Sequence, residues 1–156
     1  MLAIIIHNIY SSVKLMEAVD VYLEFPEVDI LVVSKATSSA AQSGVPEAEK
    51  KAYIRGRRIL YIPDLKDVLE LLKLDRLYLV VPNRLSKNFI DFDRVREEIS
   101  KYRVGIAFSG GDTTFSKNEL GLGDVVTLGF RDILPPVSLI SIVLYSLFPK
   151  NMGNSN

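Results

Sequence analysis

Three short loops, each following a strand-like apolar run, have the residue types of a ligand-binding site. They are Val81-Pro82-Asn83, Ser109-Gly110-Gly111 and Leu128-Gly129-Phe130. Glycine lets the backbone approach a ligand closely, and ligands of parallel sheets sit at the carboxyl ends of the strands. The three loops would therefore form one small-molecule site if their strands are neighbours. The alternative is that they are ordinary tight turns.

A dense basic cluster could hold the phosphates of a nucleic acid. Five cations fall within nine residues, and they are Lys50, Lys51, Arg55, Arg57 and Arg58. Tyr53 and Tyr61 lie within and just after this stretch, and tyrosines can stack on bases. The alternative is a solvated helix end, where cations are also favoured. Both interpretations stay open at this point.

Other polar residues are expected to have structural roles, or they lack the partner residues that catalysis or metal binding would need. His7 ends a buried strand, where a histidine is more often a partnered core residue than a base. Asp112 could orient a ligand, but it is expected to cap the following turn. Glu49-Lys50-Lys51 matches the E-x-K half of a nuclease motif, yet the partnering Asp64 follows it, which reverses the required order. A metal-dependent nuclease also needs several convergent carboxylates, so we expect neither a nuclease nor a metal site.

The composition limits the classes of function. The chain has 156 residues, of which 48% are hydrophobic and 24% charged, and this predicts a folded domain with a sizeable core. Nineteen Lys and Arg residues balance nineteen Asp and Glu residues, so nucleic acid would need a local basic patch. The absence of cysteine excludes disulfides and thiolate metal sites, and the single histidine excludes a multi-histidine site. No apolar run reaches ~18 uncharged residues, so no membrane span is predicted, and a cytoplasmic location is expected.

The order of the apolar runs predicts a single α/β domain over residues 1–150, followed by a frayed polar tail over residues 151–156. Strands are expected at Leu2–Ile6, Val28–Val33, Ile59–Ile62, Leu77–Val81, Val104–Phe108 and Val125–Leu128. Helices are expected to end at Leu23, to span Glu47–Arg55, to follow a cap at Asp64, and to span Phe92–Tyr102 and Pro136–Phe148. Alternating strands and helices favour a mainly parallel sheet of five or six strands with helices on both faces.

The last third of the chain resembles the SpoU branch of the SPOUT methyltransferases, whose backbone forms a trefoil knot. The first loop of that branch reads F-G-N-E-G-x-G-L-S and aligns here with 108–116. An E-L-x-x-x-D-x-V-x-I-P pattern is similar to 119–129, and an S-L-N-V-S-x-A pattern is similar to 138–143, before Leu144-Tyr145. The resemblance covers the last third well and the rest only in the order of its strands.

The resemblance implies a C-terminal trefoil knot, S-adenosylmethionine as the cofactor, and methylation of rRNA or tRNA, with the ribose hydroxyl as one target. The cofactor contacts that it implies are Val81, Pro82, Ser109, Gly110, Gly111, Leu128, Gly129, Phe130, Leu134, Ser138 and Leu139. The expected RNA contacts are Arg55, Arg57, Arg58 and Lys14. Lys14 lies near an arginine of the branch's first motif, and its alternative is a solvated helix lysine.

Two positions depart from the SpoU pattern. The glutamate of the branch's first loop falls here on Gly111, and the asparagine of its S-L-N pattern falls on Ile140. Both positions are associated with substrate handling and catalysis in the branch, so no catalytic residue is assigned. The alternative function is a non-catalytic module that binds RNA or a nucleotide in the same pocket.

The terminal helix predicts self-association. The segment from Pro136 to Phe148 is apolar nearly all round, and a monomer would leave part of such a helix as a large apolar patch in water. A two-fold homodimer is the simplest closed solution, and the resemblance points the same way. We expect a dimer whose interface includes this helix, close to the three loops.

Overall fold

Six parallel strands form the centre of the computed structural model, which describes residues 1–151. The strands are β1 (Leu2–His7), β2 (Ile30–Ser34), β3 (Ile59–Ile62), β4 (Arg76–Val81), β5 (Val104–Ser109) and β6 (Asp124–Thr127). They lie in the order β3-β2-β1-β5-β4-β6, and every neighbouring pair is parallel. The predicted parallel α/β fold is confirmed, with the larger of the two expected strand numbers. The trefoil knot stays a prediction.

Runs of β-branched residues explain the central strands. Every residue of β1 and of β2 is buried, because the central strands of a parallel sheet are covered on both faces. In the register of β1, Ile4 lies beside Leu31 of β2 on one side and Ile106 of β5 on the other. Successive side chains point to opposite faces, and Ile4 and Ile5 accordingly belong to two different core clusters.

Helices cover both faces of the sheet, as predicted. They are α1 (Ser12–Leu23), α2 (Val45–Ile54), α3 (Leu65–Leu72), α4 (Phe92–Lys101), α5 (Lys117–Leu120) and α6 (Pro136–Leu147), and a π-helical turn, Ala40–Gly44, precedes α2. Residues of α1, α2, α4 and α6 pack in the core cluster of one face. Residues of α3 and α5 pack in the core cluster of the other face.

Side chains cap the starts of α1, α4 and α5 but not those of α2, α3 and α6. Ser11 accepts a hydrogen bond from the backbone N–H of Lys14 at 3.2 Å, as a helix start there requires. Asp64 occupies the N-cap position of α3, but its side chain makes no capping hydrogen bond. The short helix α5 was not predicted, although Ser116 and Glu119 form a reciprocal capping box at its start.

Helix α6 is covered more fully by its own chain than the sequence suggested. Its buried residues are Pro136, Leu139, Ile140, Val143, Leu144 and Leu147. The reason is that the earlier elements α1, α4 and β5 pack against it. Ile142 and Tyr145 on the outer side remain 37% and 54% exposed.

Within residues 1–151, no helix is both long and apolar enough to cross a bilayer. Beyond Asn151, the predicted polar tail lies outside the described residues.

Candidate functional site

The three loops identified in the sequence meet at the carboxyl edge of the sheet, because β5, β4 and β6 are neighbours. They border a small, mainly apolar pocket with about 340 Å³ of empty space, part of it open to solvent. Seven of the expected ligand contacts line it, namely Val81, Pro82, Ser109, Leu128, Phe130, Leu134 and Leu139. The remaining four are not among its lining residues, namely Gly110, Gly111, Gly129 and Ser138.

The two glycines of the loop after β5 allow close packing between protein segments. A Cβ on Gly110 would lie 2.6 Å from the Cβ of Ile9, and one on Gly111 would lie 3.1 Å from the carbonyl oxygen of Asn8. Both glycines therefore let this loop pack directly on the loop after β1. Gly110 faces Ile9 and not the pocket, so its small size serves the fold.

His7, the last residue of β1, is buried beneath the same loop. Its Nδ1 lies 2.8 Å from Ser34 Oγ, and its ring stacks on Phe115 with the ring centroids 5.8 Å apart. Its Nε2 contacts Glu119 Oε2 closely, although the two are not aligned as a hydrogen bond. Because only 1% of His7 is exposed, the side chain is a partnered core residue, as the sequence indicated.

Burial and charge set the protonation of His7 and of Glu119, which is partly buried. Burial lowers the pKa of His7, and the neighbouring Glu119 carboxylate offsets only part of that effect. The ring is therefore neutral near pH 7, which lies above its ordinary pKa of 6.5. Burial by itself raises the pKa of Glu119, but the Ser116 backbone N–H and His7 outweigh burial and lower that pKa overall. Glu119 is therefore ionised under the same conditions.

A polar group at the surface, which we name the edge cluster, joins the loops after β1 and β5. Its members are Asn8, Tyr10, Lys14, Asp112 and Thr113. Tyr10 Oη donates to Asp112 Oδ2 at 2.6 Å, and Lys14 Nζ lies 3.6 Å from Asp112 Oδ1. Asn8 Nδ2 donates to Thr113 Oγ1 at 3.4 Å. The edge cluster thus presents a cation, a carboxylate and a phenol to solvent at the ends of two neighbouring strands.

Asp112 pairs with Tyr10 and Lys14, which follow β1, and does not take the capping role expected from the sequence. The hydrogen bond from Tyr10, followed by the charge of Lys14, lowers the pKa of Asp112. The same hydrogen bond raises the pKa of Tyr10. At neutral pH the edge cluster therefore contains a carboxylate anion and a neutral phenol. Tyr10 and Asp112 are 102 positions apart, and no local motif marks their contact.

The arginines of the basic cluster lie at the amino ends of the strands, and their side chains have different roles. Arg57 Nη2 donates to the carbonyl oxygens of Phe25 at 3.0 Å and Val28 at 2.9 Å, so its guanidinium is held by the fold. Arg55 and Arg58 are exposed. These residues lie in the turn before β3, whereas Lys14 lies at the carboxyl edge. Strands of four to six residues separate the two edges by roughly 13–20 Å.

The E-x-K pattern does not assemble a nuclease centre within one chain. Glu49 and Lys51 lie on α2, whose core residues pack on one face of the sheet, and Asp64 precedes α3, whose core residues pack on the other. Lys51 instead pairs with Asp20. Residues 1–151 also contain no group of three or more His, Cys, Asp or Glu side chains that could hold a metal ion.

Comparison with known proteins shows the family. A family described as RecB-family nuclease (DUF2122) matches residues 38–146, well over half of the chain. The chain belongs to this family. A relative from Methanocaldococcus jannaschii, provisionally named a type II restriction enzyme, is 32% identical over 149 residues, which cover 94% of this chain and 96% of the relative.

Solved structures share the fold of this chain. A probable methyltransferase from Bordetella pertussis has a TM-score of 0.70 at 12% identity, covering 94% of this chain and 93% of that one. The SpoU methyltransferase AviRb from Streptomyces viridochromogenes has a TM-score of 0.69 at 11% identity, covering 94% of this chain and 58% of that one. At such identities the similarity shows the fold alone. The resemblance to the SpoU branch therefore holds at the level of the fold.

The expectation of an S-adenosylmethionine-dependent RNA methyltransferase is wrong, because the family is described as nucleases and the relative is named a restriction enzyme. The same finding contradicts S-adenosylmethionine as the cofactor and the alternative of a non-catalytic module. The physical reason for the error is that the matching residues are mostly apolar or glycine. Such residues build strands and tight turns, so they report a fold and not its chemistry.

Proposed function

We propose that this protein is a nuclease, an enzyme that binds nucleic acid and cleaves its phosphodiester bonds. The observation that carries the proposal is the family match over residues 38–146. The similarity to a protein provisionally named a type II restriction enzyme, which extends over almost the whole chain, supports it. The earlier interpretation of the E-x-K pattern, which disfavoured a nuclease, is overruled by the same findings.

The edge cluster is the proposed site of cleavage. Ligands of parallel α/β sheets bind at the carboxyl ends of the strands, and the edge cluster lies at the ends of β1 and β5. Its Lys14 side chain is 34% exposed and could offset the charge of a phosphodiester, while the Asp112 carboxylate is 79% exposed and could accept a proton. His7 precedes the cluster residue Asn8 in the chain, and its contact with Glu119 joins the end of β1 to α5.

Metal chemistry does not enter this proposal. Many nucleases hold divalent cations between several convergent carboxylates, and the described residues of one chain do not provide such a donor set. The proposed roles therefore rest on Lys14 and Asp112, with Tyr10 Oη donating a hydrogen bond to Asp112. Whether the protein binds a divalent cation is measured separately, by titrating Mg²⁺ into the protein in a calorimeter. Tight binding to the single chain would contradict this part of the proposal.

The nucleic acid that the sequence resemblance predicted is RNA, whereas the name of the relative points to DNA. A direct test incubates the protein with end-labelled single-stranded RNA, single-stranded DNA and duplex DNA, each with Mg²⁺ and with a chelator. We expect cleavage of at least one substrate. Absence of cleavage of all three would contradict the proposed function.

Variants then test the proposed site. We expect Lys14→Ala and Asp112→Asn to slow cleavage at least about tenfold, since a preorganised charged group often contributes that much or more. Lys101→Ala is the matched control, because Lys101 also forms an exposed ion pair, with Glu97, but lies on α4. Equal rates for Lys14→Ala and Lys101→Ala would place the site elsewhere.

We also propose that the protein acts in the cytoplasm as a homodimer and that the outer side of α6 lies in the interface. Ile142 and Tyr145 form the exposed apolar part of that side. Sedimentation of the wild type at micromolar concentration should give a dimer, and Tyr145→Arg should give a folded monomer. Leu144→Arg is unsuitable for this test, because Leu144 is fully buried in its own chain and a charge there would unfold it. A monomeric wild type would refute the dimer.

A further inference from the structure

The open edge of the sheet carries a group of exposed aromatic and aliphatic side chains. Strand β3 is one of the two terminal strands of the sheet, and among the described residues it pairs with β2 alone. On β3 and the preceding helix α2, Tyr53 is 84% exposed, Ile54 73%, Tyr61 43% and Leu60 41%. Leu60 points to the opposite face of the sheet from Tyr61, but Tyr61 shares the face of Ile59, which packs in the same core cluster as α2. Single exposed apolar residues are ordinary, but several on one face mark an interaction surface.

The turn between α2 and β3 adds two unpaired cations to this surface. Arg55 and Arg58 are exposed, and within residues 1–151 their guanidinium groups form neither a hydrogen bond nor an ion pair. Gly56 has φ +67°, a value that favours glycine and allows the tight reversal here. Between them, Arg57 binds main-chain carbonyls at the end of α1 and after it. Arg57 is thus a positioning residue that fixes the turn presenting Arg55 and Arg58.

We propose that this surface, formed by Tyr53, Arg55, Arg58 and Tyr61, binds single-stranded nucleic acid. Exposed aromatic rings stack on the faces of unpaired bases, and nearby arginines contact the phosphates between them. A duplex hides its base faces within the stack, so the tyrosines favour a single strand. The inference rests on the proposed action on nucleic acid, but it concerns binding along α2 and β3 and not cleavage at the ends of β1 and β5.

The charge of the surface argues against a second copy of the chain as the occupant. From Glu47 to Arg58 the chain carries five cations, in the basic cluster, and two anions, Glu47 and Glu49. A second copy of the chain has a formal net charge of zero, so it offers no general attraction to this cationic segment. Phosphates would instead neutralise the unpaired arginines.

The test measures binding of a fluorescent single-stranded 20-mer by anisotropy, as RNA and as DNA, beside the matching duplex and at several salt concentrations. We expect tighter binding of a single strand than of the duplex. Arg55→Ala with Arg58→Ala should reduce the slope of log affinity against log salt by about 1.4, because each phosphate contact on a single strand contributes about 0.7. Tyr53→Ala and Tyr61→Ala should each weaken binding about tenfold, as expected for loss of one stacked base.

Matched controls keep the result specific. Leu71→Ala removes an equally exposed apolar side chain from α3, where Leu71 is 68% exposed, and Lys101→Ala removes an exposed cation from α4. Both should bind like the wild type. Failure of the wild type to bind any single strand, variants of the surface that bind like the controls, or a Tyr61→Ala change that only dissociates a dimer would each overturn the proposal. Cleavage of duplex DNA with no binding at this surface would leave the proposed nuclease standing without it.

Discussion

Replacing Arg57 with alanine is predicted to destabilise the fold, in contrast to its expected role as an RNA contact. Arg57 Nη2 donates to the carbonyl oxygens of Phe25 at 3.0 Å and Val28 at 2.9 Å, and Nη1 reaches that of Leu23 at 3.3 Å. The guanidinium also lies 4.3 Å from the centroid of the Tyr22 ring. One side chain therefore ties the end of α1 to the start of β3.

The magnitude follows from the two shorter bonds. A hydrogen bond from a charged donor contributes about 1.5–3 kcal/mol, so two such bonds would contribute about 3–6 kcal/mol at a dry site. Arg57 is half-buried, and water can replace the guanidinium at the freed carbonyls. We therefore expect Arg57→Ala to lower the free energy of unfolding by about 2–3 kcal/mol. For a chain of this length that corresponds to a fall in Tm of about 4–12 °C.

Urea unfolding followed by circular dichroism measures this change. Arg57→Lys keeps the charge but not the planar fork, so its stability should lie between those of the wild type and Arg57→Ala. Arg55→Ala and Arg58→Ala are matched controls and should change the free energy of unfolding by less than about 0.5 kcal/mol. If Arg57→Ala is as stable as these two controls, the assignment of Arg57 to the fold is refuted.

Two further substitutions test the close packing of Gly123 on β4 and the protonation of His7. Gly123→Ala would place a Cβ 2.4 Å from the carbonyl oxygen of Leu77, so urea unfolding should show a loss of about 1–3 kcal/mol. Gly121→Ala is its control, because the nearest atom, the carbonyl oxygen of Asn118, would be 3.4 Å away, and a comparable loss there would undermine the packing argument. For His7, the pKa in the folded state lies below the ordinary value of 6.5. As the pH is lowered below 6.5, the unfolded chain therefore takes up the proton first, and the free energy of unfolding decreases. His7→Gln should flatten that fall just below pH 6.5, and an unchanged slope would assign it to another group.

Much of the fold could be predicted from the sequence because its signals are local. The apolar β-branched runs mark the strands, and β3 spans Ile59–Ile62 as predicted. The convergence of three loops also followed, since parallel strands place their carboxyl ends at one edge. Helix α5 was missed because it has only four residues, although its start carries the Ser116-x-x-Glu119 signature of a capping box.

The site depended on contacts that the sequence does not encode locally. His7 and Glu119, like Tyr10 and Asp112, meet only because β1 and β5 are neighbours in the sheet. The roles of the arginines were equally hidden, because sequence spacing does not show that Arg57 reaches back to carbonyls near the end of α1. The function was misjudged for a different reason. Glycine and apolar motifs specify a backbone shape that proteins of different activity can share.

The most direct test of the central claim is the rate at which the purified protein cleaves end-labelled nucleic acid, measured side by side for the wild type, Lys14→Ala and Lys101→Ala. We predict that the wild type and Lys101→Ala form product at the same rate and that Lys14→Ala is at least about tenfold slower. A wild type that leaves RNA, single-stranded DNA and duplex DNA all intact, with Mg²⁺ and with a chelator, would contradict the claim.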